Sequence, residues 1–154
     1  MRDLGTLGGD TGVAYAINDN GEIVGLSTTT SNLESRPFLY SDGRMYDLGT
    51  LGGTNINHGG IATITSFATD INNLGQVVGQ AAVPDGSQHA FLYHNGMMTD
   101  LNDLVTLTST NGPAGFLALS VANGINHREQ IVGTGTYWDG ANVTTRAFLL
   151  NLKP

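Results

Sequence analysis

Cysteine is absent from this chain, so neither a disulfide framework nor a thiolate metal site is available to it. Charge is scarce as well. Only 12% of residues are charged, with a net balance of −7, and the resulting field repels phosphate backbones and anionic lipid. Nucleic acid is therefore not an expected partner. No apolar run approaches the roughly 18 residues of a membrane-spanning helix. Met1-Arg2-Asp3 leads straight into patterned sequence without the apolar core of a signal peptide. These features read as a soluble chain with no membrane span. Also missing are a Gly-x-Ser-x-Gly elbow, a Walker loop, a His-Glu-x-x-His pair and a thiol nucleophile, so serine or thiol hydrolysis and phosphoryl transfer lack their usual sequence support.

What the chain has in excess is glycine, at 22 positions, about twice ordinary usage. With Asn and Thr filling the segments between short apolar runs, this composition suits short strands and many turns. At 154 residues it fits one domain with a real core.

The organising feature is a threefold repeat. Ala14-Tyr15-Ala16-Ile17-Asn18 and Gly21-Glu22-Ile23-Val24-Gly25 recur around Ile71-Asn72 and Val77-Val78-Gly79, and again around Ile125-Asn126 and Ile131-Val132-Gly133. The Ile-Asn step returns every 54 residues, which marks units that bury their apolar faces only against neighbours. Each unit reads as a four-stranded antiparallel sheet. Asn20-Gly21 is a hairpin signal, Leu74-Gly75 takes its place in the second copy, and Arg128-Glu129 in the third implies a different turn. A third strand follows at Phe38, Phe91 and Phe148, which read as core, and Asp42-Gly43 or Asn95-Gly96 then turns into a fourth. The units fall at about residues 13–52, 53–104 and 105–154 of a single repeat domain. The last lacks a fourth strand, while Asp3-Leu4-Gly5-Thr6-Leu7-Gly8-Gly9 matches Asp47-Leu48-Gly49-Thr50-Leu51-Gly52-Gly53. Strand 2–7 is therefore expected to complete the last unit, closing a sheet edge as β-propellers do.

His89-Ala90-Phe91-Leu92-Tyr93, with Asp-Leu-Gly-Thr-Leu-Gly-Gly and Ile-Asn-x-x-Gly-x-Val-Gly beside it, resembles the HAF-type extracellular repeat family of bacteria. Arg36-Pro37-Phe38 and Arg146-Ala147-Phe148 depart from that signature in the other copies. The resemblance implies repeated β-units in exported or surface proteins, and it supplies no catalytic residues.

The expected fold is all-β, with three four-stranded units as propeller-like blades and a homodimer or larger closed assembly supplying the remaining blades. The alternative is a β-prism or β-trefoil closed within one chain. The longer loops gather at one end of such sheets, the place for a ligand. There Asp10, Asp85, Asp103 and Asp139 are the candidate Ca²⁺ ligands, since calcium favours carboxylate and carbonyl oxygens. His58 and Asp70 are the candidate catalytic groups, and Trp138 with Tyr137 is the candidate stacking surface for a small molecule or glycan. Asn18, Asn72 and Asn126 read as groups that bond their own turns, and Asp3, Asp47 and Asp100 as acceptors of backbone N–H bonds. Two functions are consistent with this: a non-catalytic ligand- or partner-binding module of an exported bacterial protein, or a Ca²⁺-dependent hydrolase of small lactones or esters such as acyl-homoserine lactones. The second rests on analogy with propeller lactonases, in which the metal polarises the carbonyl and activates water.

Overall fold

The computed structural model describes residues 1–30, 34–53 and 66–152, and within them it is all-β apart from one 3₁₀ turn, Leu101–Leu104. The first sheet runs in order through β1 (Gly8–Ile17), β2 (Ile23–Thr29), β3 (Ser35–Ser41) and β4 (Arg44–Asp47). The second repeats this with β5 (Phe67–Ile71), β6 (Val77–Ala82), β7 (Gln88–His94) and β8 (Met97–Asp100). The third has three strands, β9 (Gly115–Ile125), β10 (Gln130–Trp138) and β11 (Val143–Asn151). All neighbouring strands are antiparallel hairpin partners, as the tight turns require.

The turn chemistry follows the sequence at most positions. Asp42-Gly43 and Asn95-Gly96 hold positive φ at both residues, the type I′ geometry that matches strand twist. The β1–β2 and β5–β6 turns instead spend one left-handed residue, Gly21 or Gly75, with its N–H donating to the Asn18 or Asn72 carbonyl. The third copy departs from expectation. Glu129 stands at φ +60° where the glycines stood, and its N–H donates to the Asn126 carbonyl, so the turn keeps its shape with a strained residue in it.

Each first strand carries a bulge, between Ala14 and Ala16, between Ala68 and Asp70, and between Ala122 and Gly124, directly opposite Gly25, Gly79 and Gly133. A Cβ on any of these glycines would run into the carbonyl oxygen of Val13, Phe67 or Val121. That close approach explains the Val-Gly end of the motif.

The strands are sandwiched. Val77 and Phe91 pack with Val24 and Leu48 between the first and second sheets, while Val78, Ala90 and Leu101 pack with Leu119, Ala122, Ile131 and Phe148 between the second and third. Contacts run from first sheet to second and from second to third, so the units form a row. The closed threefold arrangement of a β-prism or β-trefoil is not formed among the described residues, and none of the three sheets closes on itself. Segment 2–7, expected to complete the last unit within the chain or between chains, does not pair with the third sheet of its own chain among the described residues. Leu7 bridges Thr29 and donates its N–H to Ser27 Oγ at 2.9 Å, and Arg2 lies over the Tyr40 ring, so within the chain this segment lies against the first sheet. The reason is local. Asp3 accepts from Gly5 N–H and Thr6 Oγ donates to the Gly9 carbonyl, as Asp47 and Thr50 do with Gly49 and Gly53, so residues 3–9 adopt the shape of the connector that leads into a unit.

Candidate functional site

The most regular polar structure in the molecule joins the units. Asn18, Asn72 and Asn126 each accept two backbone N–H bonds within their own turn through Oδ1, as their sequence context suggested. Their amides reach further. Asn18 Nδ2 donates to the Asn72 carbonyl at 3.0 Å and Asn72 Nδ2 to the Asn126 carbonyl at 3.1 Å, making a ladder from unit to unit. The same amides are steadied by Glu22, Gln76 and Gln130, four residues on. That recurring acid or amide was the readable signal for the ladder.

Asp70 belongs to this junction. Its Oδ2 accepts Ile125 N–H at 2.8 Å and its Oδ1 accepts Ile71 N–H at 2.9 Å, so the carboxylate bridges the second sheet to the third. Gly124 lies alongside, and a Cβ there would meet Asp70 Oδ2 at 3.5 Å, an ordinary van der Waals distance. Thr69 assists by donating to the Ala122 carbonyl.

The four candidate calcium ligands lie on separate elements, and among the described residues no three His, Cys, Asp or Glu side chains are grouped to hold a metal ion. Asp10 is within β1, and Asp103 lies in the 3₁₀ turn. Asp85 accepts both the hydroxyl and the N–H of Ser87, which hold its carboxyl below the usual range. Asp139 is lowered in the same way by the N–H groups of Asn142 and Ala141. These are turn-capping carboxylates whose charge is already solvated by donors. His58 lies outside the described residues.

His89 makes a pair that repeat logic did not anticipate, with Nδ1 at 2.6 Å from Asp100 Oδ2. Such a pair orients an imidazole for base catalysis when a hydroxyl or thiol meets its other nitrogen. No such partner hydrogen-bonds it among the described residues. Asp100 also accepts from Asn102 N–H, which starts the 3₁₀ turn.

Tyr137 and Trp138 end strand β10 rather than occupying a loop. Tyr137 lines a concavity of about 390 Å³ with Ala114, Phe116, Asp139, Arg146 and Ala147. Its ring is already engaged, by the Phe116 edge at 5.2 Å and by the Arg146 guanidinium at 5.7 Å. Trp138 is the next residue on the strand, so it projects to the opposite sheet face, and the two rings do not form one platform.

Larger apolar surfaces lie at the two ends of the row. Ile17 is exposed on β1 beside a shallow groove of about 280 Å³, while the half-exposed Tyr15 turns toward the second sheet with its ring 6.1 Å from that of Phe67. Val132 and Leu149 are exposed on the third sheet, and a separate groove of about 420 Å³ runs along Phe116, Leu119 and Phe148 at the junction with the second sheet.

Three antiparallel sheets in register, tied by an asparagine ladder and open at both ends, define an all-β repeat protein. The chain belongs to the family described as "Protein of unknown function (DUF3466)", which matches residues 8–147. No curated protein and no solved structure matches it.

Proposed function

We propose that this chain is a non-catalytic, partner-binding repeat module of an exported bacterial protein, its sheets serving as blades of a β-propeller-like array. One observation carries the reading: four of the side chains that suggest chemistry, Asp70, Asp85, Asp139 and Tyr137, are spent on structure, while exposed apolar side chains sit at the ends of the row. Asp70 ties two sheets, Asp85 and Asp139 cap turns, and Tyr137 is held between Phe116 and Arg146. Exposed apolar strand faces are the ordinary mark of a protein interaction surface. The export part of the reading is supported by the resemblance to HAF-type repeats around His89-Ala90-Phe91-Leu92-Tyr93.

The test is hydrolysis of acyl-homoserine lactones and small esters by the purified chain, with added calcium and with EGTA. The expected result is the buffer rate in both conditions. Turnover that chelation abolishes would overturn the reading in favour of a calcium-dependent hydrolase.

A further inference from the structure

We infer that the partner at these ends is a second copy of this chain, docked head to tail, with its first sheet stacked on the third sheet of its neighbour. This rests on the module reading above and names its partner. The argument is that the chain contains this interface twice already. Ile17, Ile71 and Ile125 are equivalent positions on the side of each unit that faces the preceding one. Ile71 is 5% exposed and Ile125 8%, covered by the unit before them, whereas Ile17 is 66% exposed. The opposite side behaves as the mirror of this. Val24 and Val78 are 0% exposed beneath the following unit, and their equivalent Val132 is 48% exposed. Leu149 corresponds to the partly buried Leu39 and Leu92 and is 61% exposed. Ile17 at one end and Val132 with Leu149 at the other are thus bare where their counterparts are covered at the internal junctions, while Phe38 and Tyr40 on the first sheet are already buried, Tyr40 beneath Arg2.

The polar ladder points the same way. Each Asn donates to the Asn carbonyl of the unit that follows, from Asn18 to Asn72 and from Asn72 to Asn126. Asn126 Nδ2 bonds Gln130, and among the described residues it meets no carbonyl of a following unit. The Asn18 carbonyl of a second copy stands in that role. Among the described residues the third sheet ends on β11 without a fourth strand, while sheets one and two end on β4 and β8. Residues 3–9 enter the first unit as residues 47–53 enter the second, so the residues just before Asp3 correspond to the end of a fourth strand in a preceding unit. Docking a second copy lays its Arg2-Asp3 along β11, as Tyr46-Asp47 lies along Leu39 and Phe38. Two chains supply six units, within the usual range for a closed β-propeller, and both copies then use both ends.

Light scattering across a concentration series tests this on the full chain. The expected mass is twice the 16.1 kDa of one chain. Ile17→Asp and Leu149→Asp, each on an exposed position, should both reduce the mass to that of one chain. Mixed together, they should regain the mass of two, because each keeps the end the other lost. Circular dichroism checks that both variants stay folded, and Ile17→Thr with Leu149→Thr repeats the test with β-favouring residues. A wild-type chain that is monomeric up to its solubility limit overturns the inference. So does a mass sensitive to Ile17 but not Leu149, which means a head-to-head contact. Lactone turnover would sink the module reading whatever the mass, so the two failures are distinguishable.

Discussion

Glu129 takes up a left-handed conformation at φ +60°, in a turn whose other two copies use Gly21 and Gly75. An L side chain there costs roughly 1–2 kcal/mol, offset in part by the entropy glycine loses on folding. Glu129→Gly is expected to raise stability by about 0.5–1 kcal/mol, read as a higher urea midpoint at unchanged slope. Gly79 presents the opposite constraint. An added Cβ would lie 2.8 Å from Ala68 Cα and 2.9 Å from Phe91 Cε1, besides meeting the Phe67 carbonyl. Gly79→Ala should cost about 3 kcal/mol through overpacking against backbone that cannot move aside, measured by the same titration. Asp139 allows a pH test. Backbone N–H groups of Asn142 and Ala141 hold its folded carboxyl below the ordinary value. Its contribution is therefore complete above the unfolded pKa and is lost as pH falls through the folded one. Asp139→Asn keeps an acceptor oxygen without the charge, so the melting temperature should fall at neutral pH, and the difference from the parent chain should close as pH falls through the acid limb, which becomes flatter.

The unit-to-unit ladder places a large demand on one element, the turn at Asn72. That side chain is 2% exposed and satisfies Leu74 N–H, Gln76 N–H, Gln76 Oε1 and the Asn126 carbonyl. Asn72→Ala leaves several buried groups unpaired and should cost about 3 kcal/mol, read by urea unfolding. The strands, their hairpin order and the core phenylalanines were legible because a period of two and Asn-Gly or Asp-Gly turns are local signals. The match between residues 3–9 and 47–53 marks segment 2–7 as a displaced end of a fourth strand but does not say whether it serves its own chain or a neighbour. Which unit each serves is decided by tertiary packing. Asp70 looked chemical because its repeat counterparts, Ala16 and Gly124, are not acids. The structure explains the difference by a hydrogen bond: the carboxylate takes the Ile125 N–H across the junction. Ile125 is far from Asp70 in the chain, and sequence spacing alone does not bring them together.

At the scale of the molecule, the apolar cores lie between sheets rather than inside any of them. Val78, Ala90 and Leu101 form one half of the second core, and Leu119, Ala122, Ile125, Ile131 and Phe148 form the other. A chain ending at residue 114 keeps the first half and loses the second. Its remaining sheets then present a bare strand face of the kind already found at β10 and β11, with three further side chains that are now fully buried. Burying a large aliphatic side chain contributes about 1.5–3 kcal/mol, so removing the cover forfeits an amount comparable to the total stability of a small domain. In a quasi-one-dimensional row each unit is held by its neighbours, and a lost end unit should weaken the next one along. The expected behaviour of the 1–114 fragment is therefore loss of a cooperative unfolding transition, strong binding of a hydrophobic dye and aggregation, while the full chain unfolds in one step. A fragment that melts sharply, at a temperature close to that of the full chain, would show that the first two sheets form a self-sufficient core. It would also remove the reason for expecting every junction in the row, the terminal ones included, to seek a matching face.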